Sequence, residues 1–181
     1  MENLHFNELK KELINGSSKK KHPFRYFSLA TSNKNGPRQR TVVLRKIEHD
    51  TLNLLIYTDY RSQKVHDIQD HPLVSALFYH PKKLLQVRVE GKAHLITDSD
   101  VLKTYWSGIQ EASKKDYTTE RDPGTAISNP DAVDYDREHA HFCIIKIIPE
   151  TFEYLKLKRP NHLRIQFTLK GAQWNGQFLV P

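Results

Sequence analysis

The feature that most constrains the fold of this chain is a succession of short apolar runs, separated by turn signals, that starts at Phe24. The runs are rich in β-branched and aromatic residues, and Gly, Pro, Asn and Asp cluster between them. This pattern is typical of strands joined by short turns. It predicts a mainly β domain with peripheral helices. The candidate strands are residues 26–32, 40–47, 51–58, 74–79, 84–96, 141–148, 151–158 and 162–169.

Three helices are predicted around these strands, the first of them near the N-terminus. Apolar residues spaced three and four apart indicate a helix over residues 4–15, with Phe6, Leu9 and Leu13 on its buried face. A polar linker with three consecutive lysines at 19–21 follows it.

The other two helices are indicated by cap residues and breakers. Ser62 is a good N-cap for a helix over residues 62–70, and Pro72 ends it. The last helix is expected to start at Thr97, because its spacing to Asp100 resembles a capping box. The face of that helix expected to be buried consists of Val101, Leu102, Tyr105, Trp106 and Ile109.

The 181 residues are interpreted as one domain, 1–181. Within it, residues 1–22 form the N-terminal helix and basic linker, and residues 111–138 form a polar excursion with Asp-Pro-Gly and Asn-Pro turn signals. Few helices and short connections favour an antiparallel barrel over a parallel βαβ sheet.

Several classes of protein are excluded by composition. No stretch approaches 18 consecutive apolar residues, so no membrane span is expected, and we expect a soluble, cytoplasmic protein. The single cysteine, Cys143, excludes an intrachain disulfide and a cysteine-rich zinc site. The ten histidines show no HExxH pattern, and His139 and His141, which would share a strand face, are interpreted as strand-edge or solvent residues. No metal site is predicted.

A net charge of +7 attracts anions, and its placement points to a phosphate. On a strand, Arg38 and Arg40 share one face and Arg45 lies on the other. After the next strand a helix begins at Ser62, with Lys64 in its first turn, and a helix N-terminus is a ready anion site. The alternatives are that Ser62 only caps the helix, Lys64 only points to solvent and Arg40 pairs with Asp59.

A third candidate element is the strand that contains Gln86. Its apolar residues alternate with Gln86, Arg88 and Glu90, so one face packs while the other offers an amide and charges. Gly91, which follows, indicates a bulge or a close backbone approach.

The order of these motifs resembles that of the FMN-binding split barrels, the family that includes pyridoxine/pyridoxamine 5′-phosphate oxidase. The resemblance covers about residues 24–103 and, more weakly, residues 141–181. The matching segments are Arg40-Thr41-Val42-Val43-Leu44-Arg45, Tyr57-Thr58, Ser62-Gln63-Lys64 and the strand that starts at Gln86.

The resemblance implies a six-stranded antiparallel Greek-key split barrel, with FMN held at the interface of a homodimer. Arg40, Ser62 and Lys64 would bind the phosphate, the backbone of residues 42–44 one edge of the flavin ring, and Gln86 a polar ring atom. The full set of cofactor residues that it implies is Arg40, Thr41, Val42, Val43, Leu44, Arg45, Tyr57, Thr58, Ser62, Gln63, Lys64 and Gln86.

The same resemblance suggests substrate residues and shows departures from the oxidase. The matching substrate positions are Arg45, Tyr105, Ser113 and Arg164. The departures are at Gln63, Ile109, Leu155 and Gln166, where the family has Arg, Arg, Trp and Arg respectively. They weaken the match to true pyridoxamine 5′-phosphate oxidation and leave the core FMN residues in place.

The expected function is that of an FMN-dependent oxidoreductase with an unassigned small-molecule substrate or a nicotinamide nucleotide as its partner. No side chain is assigned as a catalytic acid or base. The alternatives are a flavin-binding or flavin-sensing module without turnover, and a true pyridoxamine 5′-phosphate oxidase. Nucleic-acid binding, suggested by the net charge and by lysines 19–21, has no helix-turn-helix or RNP-like motif in its support.

Overall fold

The computed structural model describes residues 2–136 and 138–181, which form a mainly β protein with peripheral helices. The strands are β1 (Tyr26–Asn33), β2 (Gly36–Val43), β3 (Lys46–Ile47), β4 (Leu54–Asp59), β5 (Leu73–His80), β6 (Leu85–Ile96), β7 (Phe142–Lys156), β8 (Leu163–Lys170) and β9 (Gln173–Leu179). The helices are α1 (Glu2–Ser18), α2 (Gln63–Asp70), α3 (Ser99–Ser107) and α4 (Glu111–Lys114). None of these helices is both long and apolar enough to span a membrane.

All strands are antiparallel members of one sheet, in the order β2-β1-β5-β6-β7-β4-β3, with β8 and β9 branching from β7. The path is open, since β2 and β3 lie at its two ends. The mainly β antiparallel fold is therefore confirmed, but the sheet holds nine strands in place of the expected six.

One face of the sheet forms the core and the other is polar. Buried positions alternate along the long strands, as in β6, where Leu85, Val87 and Val89 point inward. Their neighbours Gln86 and Arg88 point outward, because successive side chains of a strand alternate. α1 closes one end of this core with Leu9 and Leu13, both fully buried.

The predicted strand 40–47 is interrupted where the chain turns a corner of the barrel. β2 pairs with β1, whereas β3 pairs with β4. Between them the amide of Leu44 donates to Arg25 O at 2.9 Å, and the amide of Arg45 donates to Leu55 O at 2.9 Å. The apolar run continues through this change of partner, so the sequence pattern carries no signal of the break. The strand predicted over residues 51–58 starts later, because residues 50–51 form a turn and β4 begins at Leu54.

The two strands predicted over 141–148 and 151–158 are one strand, β7, which contains Pro149. A register shift at Glu90 and Gly91 of β6 accommodates the irregularity. A side chain at Gly91 would collide with the backbone at Ile148, so this glycine allows the close approach that the sequence indicated.

β9 was not predicted, and the last long helix differs from its prediction. The Asn-Gly pair at 175–176 resembles a turn, but Gly176 lies within β9, where a side chain would press on the ring of Phe167. α3 is capped by Asp98 in place of Thr97, because the Asp98 carboxylate accepts the amides of Asp100 and Val101 at 3.0 and 2.9 Å. The expected buried stripe of α3 is also wrong in this single copy, since α3 contains no buried residue.

Candidate functional site

The best-formed polar cluster lies where β2, the end of β4 and the start of α2 meet. The guanidinium of Arg40 on β2 reaches across to β1, where its Nη1 donates to Leu29 O at 3.2 Å and to Thr31 Oγ1 at 2.8 Å. Its Nη2 lies 3.4 Å from Oδ2 of Asp67 on α2. The alternative that Arg40 pairs with Asp59 is wrong, because Asp59 is 2.7 Å from Arg61.

Asp67 is the buried anchor of this cluster. Its Oδ2 also accepts from Thr31 Oγ1 at 2.7 Å, and its Oδ1 accepts from Asn33 Nδ2 at 3.0 Å and Gln63 Nε2 at 3.1 Å. Burial alone would raise the pKa of this carboxyl, but the hydrogen bonds and the charge of Arg40 hold the pKa below its ordinary value. Asp67 is therefore ionised, and it fixes the guanidinium of Arg40.

Lys64 and two hydroxyls form the second half of the cluster. Lys64 Nζ donates to Thr58 Oγ1 at 2.8 Å and to Ser62 Oγ at 3.0 Å, and the two hydroxyl oxygens are 3.2 Å apart. Ser62 occupies the N-cap position of α2, yet its side chain makes no capping hydrogen bond. The side chains of Ser62 and Lys64 thus point into the cluster.

The charge of this cluster is unbalanced. Lys64 makes no salt bridge with any residue in 2–136 or 138–181, and the one carboxylate that contacts Arg40 is Asp67. Burial lowers the pKa of Lys64, and the nearby charge of Arg40 lowers it further. Burial likewise lowers the pKa of Arg40. An anion at this point would satisfy both cations and would meet the start of α2.

A separate aromatic cluster surrounds Arg45. The guanidinium lies over the ring of Tyr57, 5.3 Å from its centroid, and Nη2 is 3.5 Å from the hydroxyl of Tyr117. Arg45 Nε is buried without a hydrogen-bond partner. Tyr57 packs edge-on against Tyr105, whose hydroxyl accepts from Lys46 Nζ at 3.2 Å. The structure therefore brings Arg45, Tyr57 and Tyr105 together.

The remaining predicted cofactor residues are divided between the two sides of the sheet. Thr41, Val42 and Val43 lie on β2, an edge strand, and Leu44 is fully buried beside it. Gln86 lies on the outer face of β6, opposite Tyr79 and Leu155. Because the Arg40 cluster faces inward, one copy of the chain does not bring Gln86 to it.

The two other predicted substrate residues lie apart from Arg45. Ser113 is in α4, a few residues before Tyr117. Arg164 is on the outer face of β8, where its Nη2 lies 2.8 Å from Oε2 of the buried Glu153. The same oxygen is 3.0 Å from Nη2 of Arg88.

Sequence reasoning missed Arg61, which ties the polar excursion to the start of α2. Its Nη2 donates to Thr119 O at 2.7 Å and its Nη1 to Glu120 O at 3.0 Å. Asp59 accepts from the same side chain, and its hydrogen bond raises the pKa of Arg61. The backbone carbonyls of the excursion carry no sequence signal, so this contact could not be read from residue types.

A second missed cluster joins α1 to the sheet. Glu12 Oε2 is 3.2 Å from His22 Nε2 and 3.9 Å from His80 Nε2, and Lys83 Nζ contacts the other oxygen at 2.5 Å. Both histidines accept a backbone amide at Nδ1, from Phe24 and Lys83 respectively. Their protons are therefore on Nε2, facing Glu12, whereas a metal bound at Nε2 would need them on Nδ1. This geometry fits a hydrogen-bonded carboxylate better than a metal centre.

Comparison with known proteins gives consistent results. A profile of the family described as "Pyridoxamine 5'-phosphate oxidase, FMN-binding domain" matches residues 5–97, which include both the Arg40 cluster and Gln86. Pyridoxine/pyridoxamine 5'-phosphate oxidase 2 of Arabidopsis thaliana is 28% identical in an alignment of 172 residues, with 86% of this chain and 87% of that protein covered. A pyridoxine/pyridoxamine 5'-phosphate oxidase of Cytophaga hutchinsonii is 30% identical in an alignment of 180 residues, with 86% of this chain and 78% of that protein covered.

Two solved structures share the fold. A pyridoxamine 5'-phosphate oxidase-related, FMN-binding protein from Nostoc punctiforme has a TM-score of 0.80 and 24% identity, with 97% of each chain covered. PhzG from Burkholderia lata, in complex with tetrahydrophenazine-1-carboxylic acid, has a TM-score of 0.78 and 17% identity, with 97% of this chain and 92% of PhzG covered.

Proposed function

The chain belongs to the pyridoxamine 5'-phosphate oxidase family of FMN-binding domains, and from this premise we propose that it binds FMN and acts as an FMN-dependent oxidoreductase. The observation that carries the proposal is the half-buried ammonium of Lys64, which lacks a carboxylate partner in the described chain and lies beside Arg40. A phosphate monoester supplies the missing negative charge and the acceptor oxygens. The residues present therefore fit the phosphate of FMN.

Each residue of the cluster has a distinct task. Asp67 orients Arg40, so that the guanidinium is fixed before a ligand arrives. Lys64 and Ser62 offer donors at the start of α2, where the helix dipole favours negative charge. The edge strand β2 leaves backbone groups of residues 42–43 beside the cluster for the flavin ring. When bound, FMN supplies the hydride chemistry, and the protein supplies position and electrostatics.

Substrate recognition is proposed for the side of the site that contains Arg45 and Tyr105. Arg45 combines a charge with a buried, unpartnered Nε, and the tyrosines around it provide flat apolar surface. This combination suits a small planar anion. Ser113 and Arg164 stay predictions as substrate residues, and Arg164 is held by Glu153 in a single copy.

The functional unit is proposed to be a homodimer. Gln86 and the Arg40 cluster lie on opposite faces of the sheet, so a second copy is needed to bring Gln86 to the flavin ring. The outer face also exposes large side chains that a second copy would cover, because Tyr79, opposite Gln86, is 49% exposed and Leu73, at the other end of β5, is 61% exposed.

The test of the cofactor proposal is a titration of the purified protein with FMN, followed by its absorbance. Lys64→Gln should weaken FMN binding about tenfold to a hundredfold, the value of a charge-assisted contact. Riboflavin, which lacks the phosphate, should bind the wild type and the Lys64 variant with equal affinity. Lys103→Gln is the matched control, because Lys103 is an exposed lysine of α3 that pairs with Asp100. Equal FMN affinity of the Lys64 variant and the control would contradict the site.

Turnover is tested separately, under anaerobic conditions with the FMN-loaded protein. Bleaching by NADPH or by pyridoxamine 5′-phosphate would support an oxidoreductase and would identify the electron donor. A protein that binds FMN tightly and is bleached by neither would favour flavin binding without turnover.

A further inference from the structure

Arg45 differs from other anchored arginines of the protein in the group that holds it. Within residues 2–136 and 138–181 its guanidinium forms no salt bridge, and the polar group shown to contact it is the hydroxyl of Tyr117, at 3.5 Å. Four other arginines are each held by a buried carboxylate: Arg40 by Asp67, Arg61 by Asp59, and Arg88 and Arg164 by Glu153.

A neutral hydroxyl and a carboxylate have opposite consequences for a ligand at Arg45. A carboxylate would neutralise the guanidinium and repel an anion, whereas a phenol oxygen accepts one N–H and leaves the charge in place. Nε of Arg45 is buried without a hydrogen-bond partner, so its neighbours in the protein leave donor capacity unused. The ring of Tyr57 lies under the same guanidinium, 5.3 Å from centroid to Cζ. Arg45 is therefore held in place without being neutralised.

Tyr117 keeps a hydrogen-bond donor of its own beside this guanidinium. Because Arg45 Nη2 donates to the phenol oxygen, the hydroxyl proton of Tyr117 remains for another partner. Burial raises the pKa of Tyr117, against the opposing effect of the Arg45 charge, so the hydroxyl stays protonated at neutral pH. An anion that contacts Arg45 thus meets a second donor.

The position of Tyr117 is fixed by contacts along the excursion. Its carbonyl accepts the amide of His141 at 2.7 Å, and its ring packs edge-on against Phe142, with centroids 5.3 Å apart. Two residues on, Arg61 holds the carbonyl of Thr119 at 2.7 Å. Among the described residues of the excursion, Tyr117 is the one that is buried.

We propose that Tyr117 is an anion-binding residue of the substrate side, which holds Arg45 through a neutral hydroxyl and donates that hydroxyl to the anionic group of the substrate. The polar excursion then serves to bring this residue to the site. The inference rests on the proposed function, since it takes the Arg45 side of the flavin as the place where substrate binds.

The experiment uses the FMN-loaded full chain, with benzoate as a planar anion and benzamide as its neutral analogue. Flavin absorbance and calorimetry measure the binding of both probes. The wild type should bind benzoate at least about tenfold more tightly than benzamide, because Arg45 and Tyr117 both donate to a carboxylate.

Tyr117→Phe keeps the buried ring and removes the hydroxyl. It should weaken benzoate binding about tenfold and benzamide binding about threefold or less, because a neutral acceptor gains about half as much from the same donor. FMN affinity should change by less than about twofold, which shows that the variant is folded. Tyr135→Phe is the matched control, because it removes a hydroxyl from the same excursion, where the ring of Tyr135 lies 4.1 Å from Lys115 Nζ.

Three results would overturn the inference. Benzoate binding that is no tighter than benzamide binding in the wild type would show that the charge of Arg45 is not available to a ligand. Equal losses of benzoate and benzamide affinity in Tyr117→Phe would reduce Tyr117 to a structural role. Benzoate affinity that falls no further in Tyr117→Phe than in Tyr135→Phe would show that the hydroxyl makes no contact with the anion. Failure of the proposed function has a different signature, because the wild type would then not bind FMN.

Discussion

Glu153 and Asp67 are both buried carboxylates that hold arginines, and they differ in how completely the charges around them are matched. On the outer face, Glu153 contacts Arg88 and Arg164, and Arg88 also pairs with Glu90 at 3.3 Å, so two cations meet two anions. At the start of α2, Asp67 is the one carboxylate shown to contact Arg40, and Lys64 is added beside it.

The two clusters therefore differ in charge balance: cations and anions are equal in number around Glu153, whereas cations are in excess around Asp67. The charges of the Glu153 network are matched within one copy of the chain, although Nε of Arg88 and Nε of Arg164 are buried there without a hydrogen-bond partner. The Asp67 cluster has one cation too many and a helix start whose N-cap side chain is turned away from the backbone. A buried arginine is thus a weak signal of a binding site, whereas a buried surplus of charge is a strong one.

The largest effects expected are those of removing the two carboxylates, Asp67→Asn and Glu153→Gln. Each variant should lose about 1–3 kcal/mol of unfolding free energy, because the arginines lose a charged partner but keep part of their contact with solvent. Only Asp67→Asn should also weaken FMN binding, because Arg40 loses its orientation. Denaturant melts and FMN titrations of both variants measure the two effects. A Glu153 variant that loses as much FMN affinity as the Asp67 variant would remove the contrast.

Unfolding at acid pH tests the contribution of Asp67 to stability separately. The pKa of Asp67 is held below its ordinary value of 3.8, so its contribution to stability is complete above that value and is lost as the pH falls through the lowered pKa. Asp67→Asn should remove this part of the pH dependence of stability below about pH 4.

The sequence predicted Arg40, Ser62 and Lys64 of this cluster and missed its carboxylate. Ser62 and Lys64 lie two residues apart where a strand ends and a helix begins, and the residue types predict this junction. Asp67 was missed because its role depends on Thr31 and Asn33, which come from a strand 34 or more residues earlier. On α2 alone, Asp67 resembles any polar helix position.

Contacts with residues outside the local sequence also explain the errors in the predicted fold. The alternation of apolar residues identified β1, β5, β6 and β8 nearly to their ends. It failed at Leu44 and Arg45, where the chain changes its strand partner. It also failed at Gly176, whose missing side chain leaves room for the ring of Phe167. In each case the deciding contact is made with another strand or turn, so it is absent from the local sequence pattern.

The next prediction tests whether the two faces meet in a dimer. Lys64→Gln removes the phosphate contact, and Gln86→Trp fills the place proposed for the flavin ring on the outer face. If each site takes Lys64 from one copy and Gln86 from the other, equal mixing with subunit exchange should restore about one quarter of the FMN sites, because each mixed dimer has one intact site. Flavin absorbance of the mixture, set against each variant exchanged with itself, measures the recovery. No recovery in a mixture that forms mixed dimers would place both residues at a site within one copy.

The smallest effect expected is a pH dependence of FMN affinity that belongs to Lys64. Burial and the nearby Arg40 lower the pKa of this ammonium below its ordinary value of 10.5, so it loses its proton at a lower pH than an exposed lysine does. FMN should therefore bind more weakly as the pH rises above neutrality, where the phosphate itself stays a dianion. Binding should take up a proton in this range, and calorimetry in buffers of different ionisation enthalpy detects that uptake. Lys64→Gln should flatten the profile, whereas Glu153→Gln should keep it, because Glu153 lies on the outer face and makes no contact with Lys64. A profile as steep in the Lys64 variant as in the wild type would mean that the surplus charge at the start of α2 belongs to another group.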